Sequence, residues 1–232
     1  MGTVILLRHG RSTANTAGVL AGRTAGVGLD EHGQAQAQAL VERLALVPLA
    51  AAVSSPLQRC QETVAPLARA RQLEVSIDER FAEMDYGEWT GRELRALARE
   101  PLWKVVQAHP SGVVFPGGEA MAAMQARAVA AVREWDAKLA AEHGPQVLWL
   151  VCTHGDLIKA VLADALGMHL DGFQRIVAAP ISISAVTYTE TRPFVQRIND
   201  CEDDLRSLVP PKRRRKRRPS SDATPGGSTG TT

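Results

Sequence analysis

Two histidines and two arginines have the chemistry needed to transfer a phosphoryl group. Arg8 and His9 directly follow an apolar run near the N-terminus, and Thr153 and His154 directly follow another one far along the chain. A neutral imidazole can attack phosphorus, because it is nucleophilic and titrates near physiological pH. An arginine presents a planar pair of donors that matches two phosphate oxygens. His9 is therefore the candidate nucleophile, and three residues are candidate phosphate ligands: Arg8, Arg59 and His154.

A carboxyl group is also needed, because the oxygen that leaves phosphorus must receive a proton. Glu83 is the candidate, since a carboxyl beside a dianionic phosphate should have a raised pKa and stay protonated. Asp78, Asp85 and Glu88 lie in the same acidic stretch, so a solvated acidic loop is the competing interpretation. Nothing in this scheme requires a metal ion or a cofactor, and we expect neither.

The elements around these residues alternate between strands and helices. Residues 3–7 and 147–152 are apolar runs typical of buried strands, and a candidate histidine lies two residues after the end of each. Residues 49–53 form a third such run, followed by Ser-Ser-Pro and a helical pattern with Arg59 in its first turn. This alternation predicts a three-layer α/β/α sandwich with a mostly parallel central sheet. Ligand sites in such sheets lie past the carboxyl ends of the strands, which would bring the candidate residues to one edge.

Other segments complete the predicted fold. Asp30 is a plausible helix N-cap, and the clearest helix runs from Met121 to the Gly144-Pro145 stop. The segment 93–109 looks helical but interrupted by Pro101. Two late β-rich segments, 181–189 and 194–198, are predicted edge strands.

Composition divides the chain into a domain and a tail. The 232 residues are 45% apolar and 22% charged, the usual balance of a soluble globular protein. Residues 212–218 contribute seven of the 27 Lys and Arg, which leaves 20 basic against 24 acidic side chains in 1–211. We predict one domain over 1–209 and a disordered basic tail over 210–232.

Localisation is predicted from what the sequence contains. The three cysteines form no closely spaced cluster, which favours a reducing cytoplasm over a disulfide framework. The N-terminus has no signal-peptide pattern, and no apolar run reaches the roughly 20 residues that span a bilayer. A cytoplasmic protein without membrane contact is therefore expected, and the composition rich in Ala, Val and Arg suggests a bacterium.

Five motifs in order give the chain a family resemblance. They are Leu7-Arg8-His9-Gly10, the run 54–63 (SSPLQRCQET), Glu83 with the run 86–91 (YGEWTG), the run 116–119 (PGGE), and Thr153-His154-Gly155. With them the chain resembles the histidine phosphatase superfamily, the phosphoglycerate-mutase-like proteins, over about residues 3–200. The resemblance implies that His9 becomes phosphohistidine, that Arg8, Arg59 and His154 hold the phosphate, and that Glu83 moves the proton. It also implies further phosphate-binding residues: Ser12, Asn15, Ala21, Gly22 and Gly155.

Two departures favour the phosphatase branch of that family. Mutases usually carry an acidic residue where this chain has Arg11, and the stretch 92–116 lacks their adjacent arginine pair. Hydrolysis of a small phosphorylated metabolite is therefore the favoured activity, with a phosphoglycerate-mutase-type reaction as the alternative. Arg23 is interpreted as a solvated loop charge.

The basic tail supports a hypothesis of another class. Seven consecutive positive charges over 212–218 can bind nucleic acid or another polyanion by releasing counterions. The chain would then be a binding protein with a vestigial pocket, although no catalytic position is lost.

Pairing of the late strands between subunits would give a homodimer. The remaining histidines are interpreted as structural or surface residues: His32, His109, His143 and His169.

Overall fold

The chain folds into a six-stranded sheet covered by helices. The computed structural model describes residues 2–201 and Gly226. The strands are β1 (Thr3–Arg8), β2 (Leu49–Ser54), β3 (Val75–Ile77), β4 (Leu148–Thr153), β5 (Ile183–Thr187) and β6 (Phe194–Asp200). The helices are α1 (Thr13–Ala17), α2 (Glu31–Arg43), α3 (Gln58–Arg71), α4 (Leu94–Leu97), α5 (Pro101–Ala108), α6 (Met121–His143) and α7 (Gly155–Ala165). Apart from Gly226, the predicted tail lies outside the described residues, so the domain boundary and the polyanion contact of 212–218 stay predictions.

The strand order explains why the sheet is mostly parallel. It runs β3-β2-β4-β1-β5-β6. The first four strands in this order are parallel to one another, and β5 and β6 extend the sheet in antiparallel pairs beside β1. The predicted sheet is confirmed in this respect. The prediction of two late edge strands is right for β6 and wrong for β5, which pairs with strands on both sides.

Two apolar cores, one on each face of the sheet, give the predicted three layers. Successive strand residues point to opposite faces. In β1, Val4 and Leu6 join a core that contains buried side chains of α5, α6 and α7. Ile5 and Leu7 join a second core with α2 and α3. The three-layer sandwich is therefore confirmed, and a strand buried on both faces reads as the continuous apolar run seen in the sequence.

Several helix boundaries follow local sequence signals. Asp30 is the N-cap of α2, and its Oδ1 accepts from the backbone N–H of Gly33 at 2.7 Å. Helix α6 ends at His143, directly before Gly144. Pro101 does not interrupt a helix, as the sequence suggested, but begins α5. Proline suits this first position, because its missing N–H would have had no partner within the helix.

Two further features of the described residues are helix length and cysteine burial. No helix among the described residues is both long and apolar enough to cross a membrane. Cys60 and Cys152 are buried as small apolar side chains, and Cys201 is half-buried.

Candidate active site

The carboxyl ends of neighbouring strands bring the predicted residues to one edge of the sheet. Arg8 ends β1 and pairs in register with Thr153, which ends β4. His9 and His154 follow immediately, and their ring centroids lie 5.2 Å apart. Arg59 enters from the first turn of α3, which follows the next strand, β2. The predicted convergence of these side chains is present in the structure.

The surroundings of His9 fix its tautomer and therefore which ring nitrogen has a lone pair. Its Nδ1 lies 2.7 Å from the carbonyl oxygen of Gly10, which can accept but not donate, so Nδ1 carries the proton. Its Nε2 accepts from Nε of Arg59 at 3.3 Å. Burial, together with the positive charges of Arg59 and Arg8, lowers the pKa of His9 well below its ordinary value. His9 is therefore neutral, with the lone pair of Nε2 directed into the site.

Arg59 connects three parts of the site. Its Nη2 donates to the carbonyl oxygen of Gly22 at 2.9 Å and to Nδ1 of His154 at 3.2 Å. Its Nη1 is buried and has no hydrogen-bond partner within the described part of the chain. An unsatisfied buried donor is costly, by about 1–3 kcal/mol. An oxygen of a bound phosphate would remove that cost.

His154 is held in one tautomer. Because its Nδ1 accepts from Arg59, its Nε2 carries the proton and donates to Oγ of Ser55 at 2.8 Å. Burial and the positive charge of Arg59 lower the pKa of His154 well below its ordinary value. The ring is thus neutral and fixed in orientation next to His9.

Glu83 has the environment of a proton donor. Its Oε1 accepts from the backbone N–H of Met84 at 3.0 Å, and its Oε2 lies 3.6 Å from Nδ1 of His154. Burial and the negative charge of Asp156 raise the pKa of Glu83 to about 7, against the opposing effect of Arg59. A carboxyl that titrates near neutrality can both give and take a proton, as general acid–base catalysis needs.

The loop that carries Glu83 is fixed by two arginines. The carbonyl oxygen of Glu83 accepts from Nε of Arg23 at 2.8 Å and from Nη2 of Arg127 at 3.2 Å. Both arginines also bind the carboxylate of Glu119, which belongs to the Pro-Gly-Gly-Glu motif. Arg23 is exposed, as the sequence suggested, but its side chain also anchors the backbone beside Glu83.

Arg8 is buried and contacts a residue from the far end of the chain. Its Nη1 donates to the carbonyl oxygen of Ala178 at 2.7 Å, and its Nη2 donates to that of Gly226 at 2.9 Å. Burial lowers the pKa of Arg8 to about 10, so the guanidinium stays charged at neutral pH. The backbone of Gly226 thus lies where Arg8 can offer donors to a ligand.

The loop residues implied by the family resemblance divide into two groups. Gly22 contributes its carbonyl oxygen to Arg59 and has φ of +50°; an added Cβ would lie 2.8 Å from Oγ1 of Thr90. Ala21 is its neighbour, and Gly155 opens α7 directly after His154. Ser12 and Asn15 bind each other in a capping box at the start of α1, a short helix that the sequence did not predict. Their phosphate-binding role stays a prediction.

The competing candidates lie elsewhere. Glu88 is exposed, whereas Glu83 is buried. His32 and His143 are exposed, and His109 and His169 both lie beside Asp171 on the surface. Among the described residues, no three His, Cys, Asp or Glu side chains are grouped so as to hold a metal ion.

Sequence reasoning missed three side chains in the site. Ser55 accepts from His154, and Asp156 accepts from the Tyr86 hydroxyl at 2.8 Å. Asp156 and Ser55 each lie within three residues of a strand end, which is the signal that could have indicated them. Tyr86 was visible as part of a motif, but its partner is 70 residues away and could not be inferred from spacing.

The arrangement can bind an anion and move a proton beside a nucleophile. Two buried guanidinium groups and two neutral histidines surround one position, with a titratable carboxyl next to it.

A family model for the histidine phosphatase superfamily (branch 1) matches residues 4–201. The chain belongs to this superfamily. Its members are phosphatases and phosphomutases, so the protein is a phosphoryl-transfer enzyme.

Individual relatives include both kinds of enzyme. The chain is 30% identical over 199 residues to phosphoserine phosphatase 1 of Hydrogenobacter thermophilus, covering 84% of this chain and 91% of the relative. It is 30% identical over 188 residues to a probable phosphoglycerate mutase of Proteus mirabilis, covering 80% and 84%. A mycobacterial glucosyl-3-phosphoglycerate phosphatase, solved with VO3, superposes with a TM-score of 0.76 at 25% identity, covering 85% and 98%.

Proposed function

We propose that this protein hydrolyses small phosphate monoesters through a phosphohistidine formed on Nε2 of His9, without needing a metal ion. The observation that carries the proposal is the tautomer of the neutral His9. Its Nδ1 carries the proton, so the lone pair that can attack phosphorus is on Nε2, where it accepts from Nε of Arg59. Arg8, Arg59 and His154 surround the phosphate, and the positive charges and N–H groups of the two arginines stabilise the transition state. Gly22 and Gly155 line the same site, with Ser12, Asn15 and Ala21 as further candidates.

The first step moves the phosphoryl group to the enzyme. Nε2 of His9 forms a bond to phosphorus while the bond from phosphorus to the ester oxygen breaks. The leaving oxygen takes the proton of Glu83, so an alcohol departs and Glu83 becomes a carboxylate. The raised pKa of Glu83 supplies this proton near neutral pH.

The second step returns the enzyme to its starting state. The Glu83 carboxylate takes a proton from water, whose oxygen attacks phosphorus as the bond to Nε2 breaks. Inorganic phosphate leaves, and both Glu83 and His9 regain their original protonation. Because arginine charges fulfil the role that a cation has in other phosphoryl transfers, no step requires a metal ion.

Hydrolysis is preferred to the mutase reaction because of the residue at position 11 and its partner. Arg11 is paired with Asp30 at 2.6 Å, so the position that is acidic in mutases is basic and engaged here. The first relative named above is a phosphatase. A cytoplasmic location and a homodimer formed through the late strands are further parts of the proposal.

Phosphate release from a panel of phosphorylated metabolites tests the proposal with the wild-type chain. We expect free phosphate from several monoesters, in buffer with a chelator, and no interconversion of 3-phosphoglycerate and 2-phosphoglycerate. The readouts are a free-phosphate assay and separation of the two phosphoglycerates. Isomerisation that outpaces phosphate release would establish the mutase alternative instead, and activity that needs an added divalent cation would contradict the metal-free scheme.

A further inference from the structure

A buried carboxylate next to the phosphate site forms no bond and transfers no proton in the two-step reaction, although its charge helps to raise the pKa of Glu83. Asp156 lies in the first turn of α7, two residues after His154, and is almost completely buried. Its Oδ2 accepts from the Tyr86 hydroxyl at 2.8 Å, and its Oδ1 lies 3.3 Å from Nζ of Lys159. A carboxylate has about four acceptor positions, so these two donors leave capacity for another.

The structure shows a third donor at this carboxylate. The backbone N–H of Gly226 donates to Oδ2 of Asp156 at 2.9 Å, while the carbonyl oxygen of the same residue accepts from Nη2 of Arg8 at 2.9 Å. One small group can therefore reach Arg8 through an oxygen and Asp156 through a donor at the same time. A substrate whose phosphate takes Nη2 of Arg8 displaces the carbonyl oxygen of Gly226, and Oδ2 of Asp156 then loses the Gly226 donor.

The covalent structure of Gly226 indicates what a ligand needs to replace it. Three bonds separate its nitrogen from its carbonyl oxygen, through Cα and the carbonyl carbon. In a phosphate monoester bound at Arg8, a phosphate oxygen takes the place of this carbonyl oxygen. An amine or hydroxyl on the second carbon, in the sequence P–O–C–C–N or P–O–C–C–O, folds back to take the place of the nitrogen at Asp156. We propose that Asp156 is a specificity-determining residue that selects phosphate esters with an amine or hydroxyl on the second carbon. The inference rests on the proposed function, since it concerns the same pocket.

The charges around the pocket support the selection. Arg8 and Arg59 provide positive charge for the phosphate, and Glu83 and Asp156 provide two carboxyl groups beside it. An alkyl group at Asp156 would leave a buried acceptor without its partner, which is costly. A ligand carboxylate there would be repelled. An amine or a hydroxyl satisfies the acceptor, and an ammonium adds an attractive charge.

The neighbours of Asp156 hold it in place for this role. Nζ of Lys159 also donates to Oε1 of Gln174 and lies 4.2 Å from the ring centre of Phe173. Both Asp156 and Lys159 are buried, so the carboxylate cannot turn towards solvent. A fixed acceptor discriminates between ligands better than a mobile one, because it pays no ordering cost on binding.

The test compares two esters of equal shape in the full-length wild-type protein. Phosphoethanolamine and propyl phosphate differ in one position, an amine in place of a methyl group. We expect kcat/KM for phosphoethanolamine to exceed that for propyl phosphate by about tenfold or more. This ratio corresponds to the free energy of roughly one charged hydrogen bond. In Asp156→Asn the preference should fall to within about threefold of equality, whereas Asp164→Asn, on the surface of the same helix, should keep the wild-type ratio. Equal kcat/KM values in the wild type would overturn the inference.

A binding measurement separates failure of the inference from failure of the proposed function. Calorimetry with 3-aminopropylphosphonate and butylphosphonate needs no turnover and does not depend on the variants folding. Tighter binding of the amine by about tenfold in the wild type supports the role of Asp156. Equal binding contradicts it, even if phosphate is released from both esters. Absence of phosphate release from every ester, with the amine still preferred in binding, would count against the hydrolase and not against the selective pocket.

Discussion

Replacing the nucleophile should nearly abolish activity. His9→Ala is expected to lower kcat/KM for phosphate release by about 10⁵-fold or more, the scale seen when a covalent nucleophile is removed. Without Nε2 of His9 the proposed phosphoenzyme cannot form, and the arginines then hold the substrate without attacking phosphorus. The measurement is free-phosphate release under steady-state conditions with the best ester of the panel.

His32→Ala is the matched control, because His32 is exposed on α2 and has no role in the proposed reaction. It should keep wild-type kcat/KM. A thermal melt of both variants shows whether each is folded, since Ala at position 9 leaves a cavity between buried groups. If folded His9→Ala keeps activity within tenfold of His32→Ala, the assignment of the nucleophile is wrong.

Removing the proton donor should give a large loss that depends on the leaving group. Glu83→Gln keeps the shape of the side chain but cannot ionise, and it is expected to reduce kcat about 10²- to 10⁴-fold. Alkyl phosphates should lose most, because an alkoxide leaves poorly without a proton. 4-Nitrophenyl phosphate should lose least, because its leaving group is stable as an anion. Binding of inorganic phosphate, measured as product inhibition, should be largely kept.

The rate of alcohol release should depend on pH in a direction that the pKa of Glu83 sets. The pKa of Glu83 is raised to about 7 by burial and by Asp156, so the group is protonated below that value and ionised above it. Release of the alcohol in a single turnover should therefore slow as pH rises through about 7, and the Gln variant should lack this decline. Glu88→Gln, at an exposed position, is the matched control. A larger loss in Glu88→Gln than in Glu83→Gln would reverse the assignment.

The fold and the edge of the sheet could be predicted because they depend on local patterns. Apolar runs that end in Arg8-His9 and Thr153-His154 indicate buried strands whose carboxyl ends meet in a parallel sheet. The in-register pairing of Arg8 with Thr153 is the physical form of that expectation. Asp30 and Gly144 likewise act through their immediate neighbours, as a cap and a stop.

The features that sequence reasoning missed depend on distant partners. The position of β5 inside the sheet is decided by its pairing with β6, and an apolar β-rich segment looks the same at an edge or next to one. The anchoring contacts of Arg23 were missed because its partners, the carbonyl of Glu83 and the carboxylate of Glu119, are 60 and 96 residues away. The contacts of Asp156 with Tyr86 and Gly226, each 70 residues distant, could not be read from spacing either.

Trapping the phosphoenzyme tests the central claim most directly. Wild-type protein is mixed with a ³²P-labelled monoester, quenched in alkali within the first turnover and digested, and the labelled peptide is sequenced. We expect one label per site, stable in alkali, lost in acid, and carried by His9. Label on another residue, or turnover that transfers no label to the protein at any time, would contradict it.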